Sequence, residues 1–175
     1  MSQASKHLDW CLKKSKEELE ECKRKGVKPK HRGLLKINQN IEEAKKHIAK
    51  AEHDLNVTRY LVKGGFADAG IGTIFYTMYQ CFLAIAAKFG YESGNQTCTI
   101  ALMECLKEKG EINLDNKFIG YFKYEDESTN QNSVIEMREN YTYGTEVKAE
   151  KSQIDFFIKD CEELISLTRD IIYKE

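Results

Sequence analysis

The stretch AGIGTIFYTMYQCFLAIAA, residues 69–87, carries no charged side chain and is the best guide to the architecture. Its length is close to the ~20 apolar residues that a membrane-spanning helix needs. Two glycines, two threonines, a glutamine and two tyrosines make it less apolar than a typical span. A helix that is apolar on nearly all sides is also typical of the centre of a soluble bundle. We therefore predict a buried core helix at residues 67–89 and no association with a membrane.

Helical periodicity continues on both sides of this stretch. In residues 40–63 the apolar positions are spaced alternately three and four apart, which predicts one buried helix face. The same spacing returns in residues 149–173, and shorter helices are predicted at 96–109 and 133–141. Residues 112–122 are a candidate short helix, and the polar segment 124–133 is a predicted loop.

The first residues predict one more helix, at 3–25, which ends before Gly26 and Pro29. We find no convincing alternating strand. The expected fold is therefore all-α, an up-and-down bundle of four to five long helices with an extra N-terminal helix and a basic loop. We divide the chain into residues 1–40, the N-terminal helix plus basic connector, and residues 41–175, the helical bundle.

Composition restricts the class of protein and the chemistry. The chain has 175 residues, a single proline and 31% charged residues, which excludes collagen-like and strongly disordered proteins. Its six cysteines form no Cys-x-x-Cys pair, and the N-terminus lacks the apolar segment of a signal peptide. We therefore expect reduced, mostly buried thiols and a cytoplasmic location. No Glu-x-x-His pattern occurs, so we predict no metal and no cofactor.

Charge is distributed unevenly along the chain. The formal net charge is −1, but residues 1–63 contain 16 Lys/Arg against 9 Asp/Glu, whereas residues 64–175 contain 11 against 19. The basic excess is densest in residues 23–36, which contain no acid. We interpret this segment as a candidate phosphate-binding loop; the alternative is a solvated loop or one docked on the acidic part of the chain. The candidate nucleic-acid-binding residues are Lys23, Arg24, Lys25, Lys28, Lys30, His31, Arg32 and Lys36.

Residues 41–173 resemble HEPN domains (higher eukaryotes and prokaryotes nucleotide-binding). The resemblance rests on AEHDLNVTRYLVKGGFADAGIGTIFYTMYQCFLAIAAKFGYES, residues 51–93, and on RENYTYG, residues 138–144. It implies a HEPN-like helical bundle that forms a homodimer. Many HEPN domains are toxin RNases with an Arg-x4–6-His motif, in which Arg stabilises phosphate charge and His acts as acid and base. Other HEPN domains accompany minimal nucleotidyltransferases or are non-catalytic binding modules.

The resemblance breaks at the catalytic motif. Arg138 stands at the position of the family's arginine, but Tyr143 stands at the position of its histidine. A phenol is a poor base near neutral pH. Arg24 and His31 match the motif's spacing, but they lie in the connector, and we interpret this match as a coincidence. Arg138 faces either a phosphate or an acid such as Glu136 or Glu139.

We therefore predict a non-catalytic HEPN-like protein that binds nucleotide or RNA, or a nucleotidyltransferase or toxin–antitoxin partner. One alternative is a metal-independent RNase toxin that uses Arg138. The second alternative is a purely structural, homodimerising helical module.

Overall fold

The computed structural model describes residues 2–124, 133–145 and 147–174. The protein is 73% helical, and helical packing of the bundle type is confirmed. Each long helix predicted from the sequence is present, with ends within two residues of the prediction. The predicted loop at 124–133 lies, apart from its two end residues, outside the described residues. The helices are α1 (Gln3–Lys25), α2 (Ile41–Lys63), α3 (Ala67–Lys88), α4 (Gln96–Glu108), α5 (Asn116–Gly120), α6 (Val134–Tyr143) and α7 (Lys151–Tyr173).

Helix α3 forms the centre of the bundle, with α2 and α7 packed against it. The hydroxyl of Thr58 lies 2.6 Å from that of Thr73, and His47 Nδ1 lies 2.6 Å from Gln80 Oε1. These pairs make α2 and α3 antiparallel. Two ion pairs between α2 and α7 run in the same antiparallel order. The central helix buries large apolar side chains on several sides, and Phe82 is completely buried.

Helix α3 is also long and apolar enough to cross a membrane, and it is the one such helix among the described residues. Of its most apolar window, 61% is buried inside the protein. The packing therefore agrees with the predicted core helix. That the protein does not associate with a membrane stays a prediction.

The expectation of no strand was wrong. Strand β1 (Leu34–Lys36) pairs antiparallel with β2 (Tyr91–Ser93), with Leu34 opposite Ser93 and Lys36 opposite Tyr91. Three residues are too few to show an alternating pattern. The strands form because the fold brings two distant segments together and buries Leu34 completely.

The expectation of six reduced thiols was also wrong, because Cys11 of α1 and Cys98 of α4 form a disulfide. Their Cα atoms are 5.7 Å apart, although 87 residues separate them in sequence. A pairing over this separation leaves no local spacing signal. The other four cysteines are free, and three of them, Cys81, Cys105 and Cys161, are buried as predicted. Because disulfides are rare in cytosolic proteins, this bond counts against the predicted cytoplasmic location, which stays a prediction.

Helix α1 is integrated into the bundle. Its buried residues Ala4, Leu8 and Cys11 belong to the same apolar cluster as Met78 of α3 and Leu102 of α4. The segment between α1 and β1 therefore begins and ends on packed elements.

Candidate nucleic-acid interface

The basic loop, residues 23–36, turns back along the helix from which it emerges. Helix α1 ends at Gly26, whose φ of 64° is left-handed and suits a residue without a Cβ. The returning chain then packs on the last turns of α1. The Cys22 thiol donates to the Lys30 carbonyl at 3.6 Å, and the Arg32 amide donates to Glu18 Oε2 at 2.5 Å. The loop is thus held on the helix surface.

Strand β1 anchors the far end of the basic loop. Ser15 of α1 donates its hydroxyl to the Leu34 carbonyl at 2.5 Å, and the Asn95 amide donates to the Arg32 carbonyl. Gly33 permits this close approach: a Cβ there would lie 2.6 Å from Ser15 N and even closer to the Cys11 carbonyl oxygen. Only glycine fits at this crossing without a shift of the backbone.

Seven of the eight candidate cations are exposed. Lys25 pairs with Glu21 at 2.5 Å, and the hydrogen bond from Lys25 to Glu21 raises the pKa of this lysine. The other exposed cations form no ion pair with any described residue. They are Lys23, Arg24, Lys28, Lys30, Arg32 and Lys36. Six positive side chains therefore extend into solvent from one anchored segment.

His31 differs from the rest of the candidate set. Its side chain is 7% exposed, and its Nε2 lies 3.2 Å from Glu92 Oε1 of β2. Its Nδ1 is buried and has no hydrogen-bond partner among the described residues. The structure therefore places His31 at the join between the loop and β2, where it holds the loop and does not face solvent.

Arg138 and Tyr143 do not come together within the described chain. The Arg138 guanidinium lies over the Phe75 ring of α3, 4.2 Å from its centroid. Its buried Nε has no hydrogen-bond partner, and no carboxylate pairs with the guanidinium, in the described ranges. Tyr143 is 78% exposed. Five residues along an α-helix turn the side chain by about 140°, so the two residues lie on different faces of α6.

A polar cluster that sequence reasoning missed joins α5 to α7. The Tyr121 hydroxyl donates to Asp160 Oδ2 at 2.5 Å, and Lys117 Nζ lies 3.1 Å from Asp160 Oδ1 and 2.6 Å from Glu163 Oε2. Burial, together with the Asp160 carboxylate, raises the pKa of Tyr121 well above its ordinary value. Every group in the cluster has a partner, which indicates a structural role.

The described residues contain no group of three or more His, Cys, Asp or Glu side chains that could hold a metal ion. No model of a protein family matches the chain, and comparison with curated proteins gives no match. The resemblance to HEPN domains therefore stays a prediction.

Proposed function

We propose that this chain is a HEPN-like helical protein that binds RNA or nucleotides through the basic loop and does not cleave RNA. The main support is the set of six exposed cations that form no ion pair with a described residue. A cation that neutralises a phosphate releases condensed counterions, and this release drives binding in a salt-dependent way. A cation already paired with an acid loses part of that gain.

The anchoring of the basic loop adds to this proposal. Ordering a flexible segment on binding costs conformational entropy, and a segment already held in place avoids much of that cost. Ser15, Asn95 and His31 each tie the returning chain to α1, β2 or the start of α4. The loop backbone therefore presents its lysines and arginines without a folding step.

The non-catalytic part of the proposal is supported by the placement of Arg138 and Tyr143. A metal-independent RNase needs a base beside its phosphate-binding arginine. Here the arginine lies on Phe75, and the tyrosine lies on another face of the same helix. The homodimer and a nucleotidyltransferase or toxin–antitoxin partner belong to the same proposal and rest on the resemblance to HEPN domains.

A charge-reversal experiment tests the basic loop. The loop variant is Lys28→Glu with Lys30→Glu, and the matched control is Lys63→Glu with Lys109→Glu, two exposed lysines at the ends of α2 and α4. Fluorescence anisotropy with a labelled single-stranded RNA measures affinity over a range of salt concentrations. We expect the loop variant to bind about tenfold more weakly, with a salt slope reduced by about 0.7 for each phosphate that the protein no longer neutralises. The control variant keeps its affinity.

Three outcomes contradict the proposal. An equal loss of affinity in both variants shows that only net charge matters and removes the special role of the loop. Absence of salt-sensitive binding in the unmodified protein favours the structural, homodimerising module. RNA cleavage without metal that disappears in Arg138→Ala favours the RNase alternative.

A further inference from the structure

The outer face of α1 carries an exposed tryptophan. The buried residues Ala4, Leu8, Cys11 and Ser15 form the inner stripe of the helix. At 100° per residue, Trp10 lies about 130° around the helix from the centre of this stripe. Its side chain is accordingly 53% exposed. The indole therefore contributes little to the core of the protein.

Cationic and aromatic side chains surround the Trp10 ring. Lys14 Nζ lies 4.9 Å from the ring centroid, and the His7 ring centroid lies 5.9 Å away. Lys6 and Lys13 are exposed on the same side of the helix. A single exposed apolar residue is ordinary, but an indole among four basic side chains is a defined chemical pattern. We call Lys6, His7, Trp10, Lys13 and Lys14 the Trp10 face.

The Trp10 face and the basic loop lie along one side of the same helix. Arg24 is 14 residues beyond Trp10, which places it about 20 Å farther along the axis and about 40° around it. Glu17 and Glu21 lie between them, and each pairs with a lysine, at 3.7 Å for Lys13 and 2.5 Å for Lys25. Glu20, which is exposed and lies about as far from this line as Glu21, forms no ion pair with a described residue. The positive charges therefore form two groups on one side of α1, one around the indole and one in the loop.

We propose that the Trp10 face stacks an unpaired base of a single-stranded nucleic acid whose phosphates continue onto the basic loop. This inference deepens the proposed function and rests on it. Exposed aromatic rings stack on nucleobases, and neighbouring cations follow the backbone, which together favour single strands over duplexes. At ~3.4 Å for each stacked nucleotide, the distance between the two parts corresponds to about six nucleotides. A lipid surface fits less well, because the apolar stripe of α1 is buried inside the protein.

Trp10 is the single tryptophan of the chain, so its intrinsic fluorescence reports on this face alone. The experiment titrates the protein with oligouridine, with a blunt RNA duplex of equal length, with inorganic polyphosphate and with anionic phospholipid vesicles. We expect oligouridine to quench Trp10, and we expect polyphosphate to bind without quenching because it has no base. Because Trp10→Ala lacks the indole, its binding is measured by fluorescence anisotropy of labelled oligouridine and by competition with polyphosphate. Trp10→Ala should weaken oligouridine binding about tenfold and leave polyphosphate binding unchanged. Trp10→Phe should restore most of the affinity, and Tyr60→Ala, at an exposed aromatic elsewhere, should have no effect.

The outcomes separate this inference from the proposed function. Polyphosphate binding that depends on Lys28 and Lys30, with no oligouridine quenching, leaves the basic loop intact and overturns the stacking site. Oligouridine quenching that persists in the Lys28→Glu and Lys30→Glu variant supports the stacking site and overturns the loop. Equal quenching by duplex RNA, or binding to vesicles alone, contradicts a single-stranded ligand. Absence of binding to every probe overturns both proposals.

Discussion

Tyr121 shows how one buried hydroxyl joins two helices. Its hydrogen bond to Asp160 places a neutral donor against a carboxylate that is 5% exposed. Lys117 takes the other carboxylate oxygen. Hydrogen bonds to both oxygens compensate a buried carboxylate for its loss of water. Removal of one donor leaves one oxygen without a partner, which costs free energy. These polar contacts therefore tie the short helix α5 to α7, in addition to the buried apolar side chains Phe118 and Ile119.

We predict that Tyr121→Phe lowers the free energy of unfolding by about 1.5–3 kcal/mol at neutral pH, because the hydrogen bond that it removes goes to a charged group. Urea denaturation measures the change. Tyr143→Phe, at a position that is 78% exposed, is the control and should leave stability unchanged. A loss of similar size in both variants would contradict the role of the Asp160 bond.

The Tyr121→Phe variant also reports how the stability contribution of the Tyr121 hydroxyl depends on pH. The pKa of Tyr121 is raised in the folded protein, so its contribution is fully present below the ordinary tyrosine value of about 10. As the pH rises above that value, the unfolded chain ionises first and the contribution is lost. The difference in stability between the unmodified protein and Tyr121→Phe should therefore shrink above pH ~10.

Sequence reasoning failed at this scale because the partners are far apart along the chain. Asp160 and Tyr121 are 39 residues apart, and neither stands in a recognisable motif. The basic residues were easier to find, because a dense run of lysine and arginine is rarely buried. Even there, the run could not reveal that His31 is paired with Glu92 and nearly buried.

At the scale of secondary-structure elements, β1 depends on its close packing across α1. Gly33 precedes the strand and faces the backbone of Cys11 and Ser15. The same strand pairs with β2, which directly precedes α4. It therefore holds the basic loop against α1 and close to the N-terminus of α4. A displacement of β1 should therefore disturb the loop and the local packing together.

We predict that Gly33→Ala lowers the free energy of unfolding by about 1–3 kcal/mol, because the added methyl must push the strand away from α1. It should also weaken RNA binding, since the loop loses its anchor. Gly72→Ala is the matched control: its Cβ would touch nothing within 4 Å, so the substitution should leave stability unchanged or raise it by up to ~1 kcal/mol. Thermal unfolding and RNA affinity are measured for both variants, and equal effects would contradict the close-packing argument.

The helices were predictable and the strands were not, for a physical reason. Along α2, from Ile41 through Ala51 to Thr58, apolar or buried residues recur at helical spacing. A short window of sequence is therefore enough to predict that one face of this helix is buried. Leu34 and Ser93 pair across a stretch of sequence that contains α2 and α3, so their pairing exists only in the folded tertiary structure. A pairing that depends on tertiary structure leaves no local period to detect.

At the scale of the whole molecule, the disulfide connects the packed helices α1 and α4, which are far apart in sequence. Cys11 and Cys98 are completely buried, and each lies in the main apolar cluster. The bond restricts the unfolded chain by closing a long loop. It therefore acts on the stability of the protein as a whole.

We predict four free thiols in the denatured, unreduced protein and six after reduction. Breaking the bond should lower the free energy of unfolding by up to about 4–5 kcal/mol, the chain-entropy value for a loop of this length. A colorimetric thiol assay and urea denaturation with and without reductant measure both quantities. The double variant Cys11→Ala with Cys98→Ala should unfold identically in both conditions. Six thiols in unreduced protein purified without reductant would contradict the bond.

The position of this bond has a topological consequence. The chain from Cys11 to Cys98 is a covalent circle that contains the basic loop, α2 and α3. Trypsin-like proteases cleave after lysine and arginine, and the lysines and arginines of the loop are part of this closed segment of chain. A single cut there opens the circle but leaves the molecule in one piece. The segment that bears Trp10 thus stays attached to the core for as long as the two sulfur atoms remain joined.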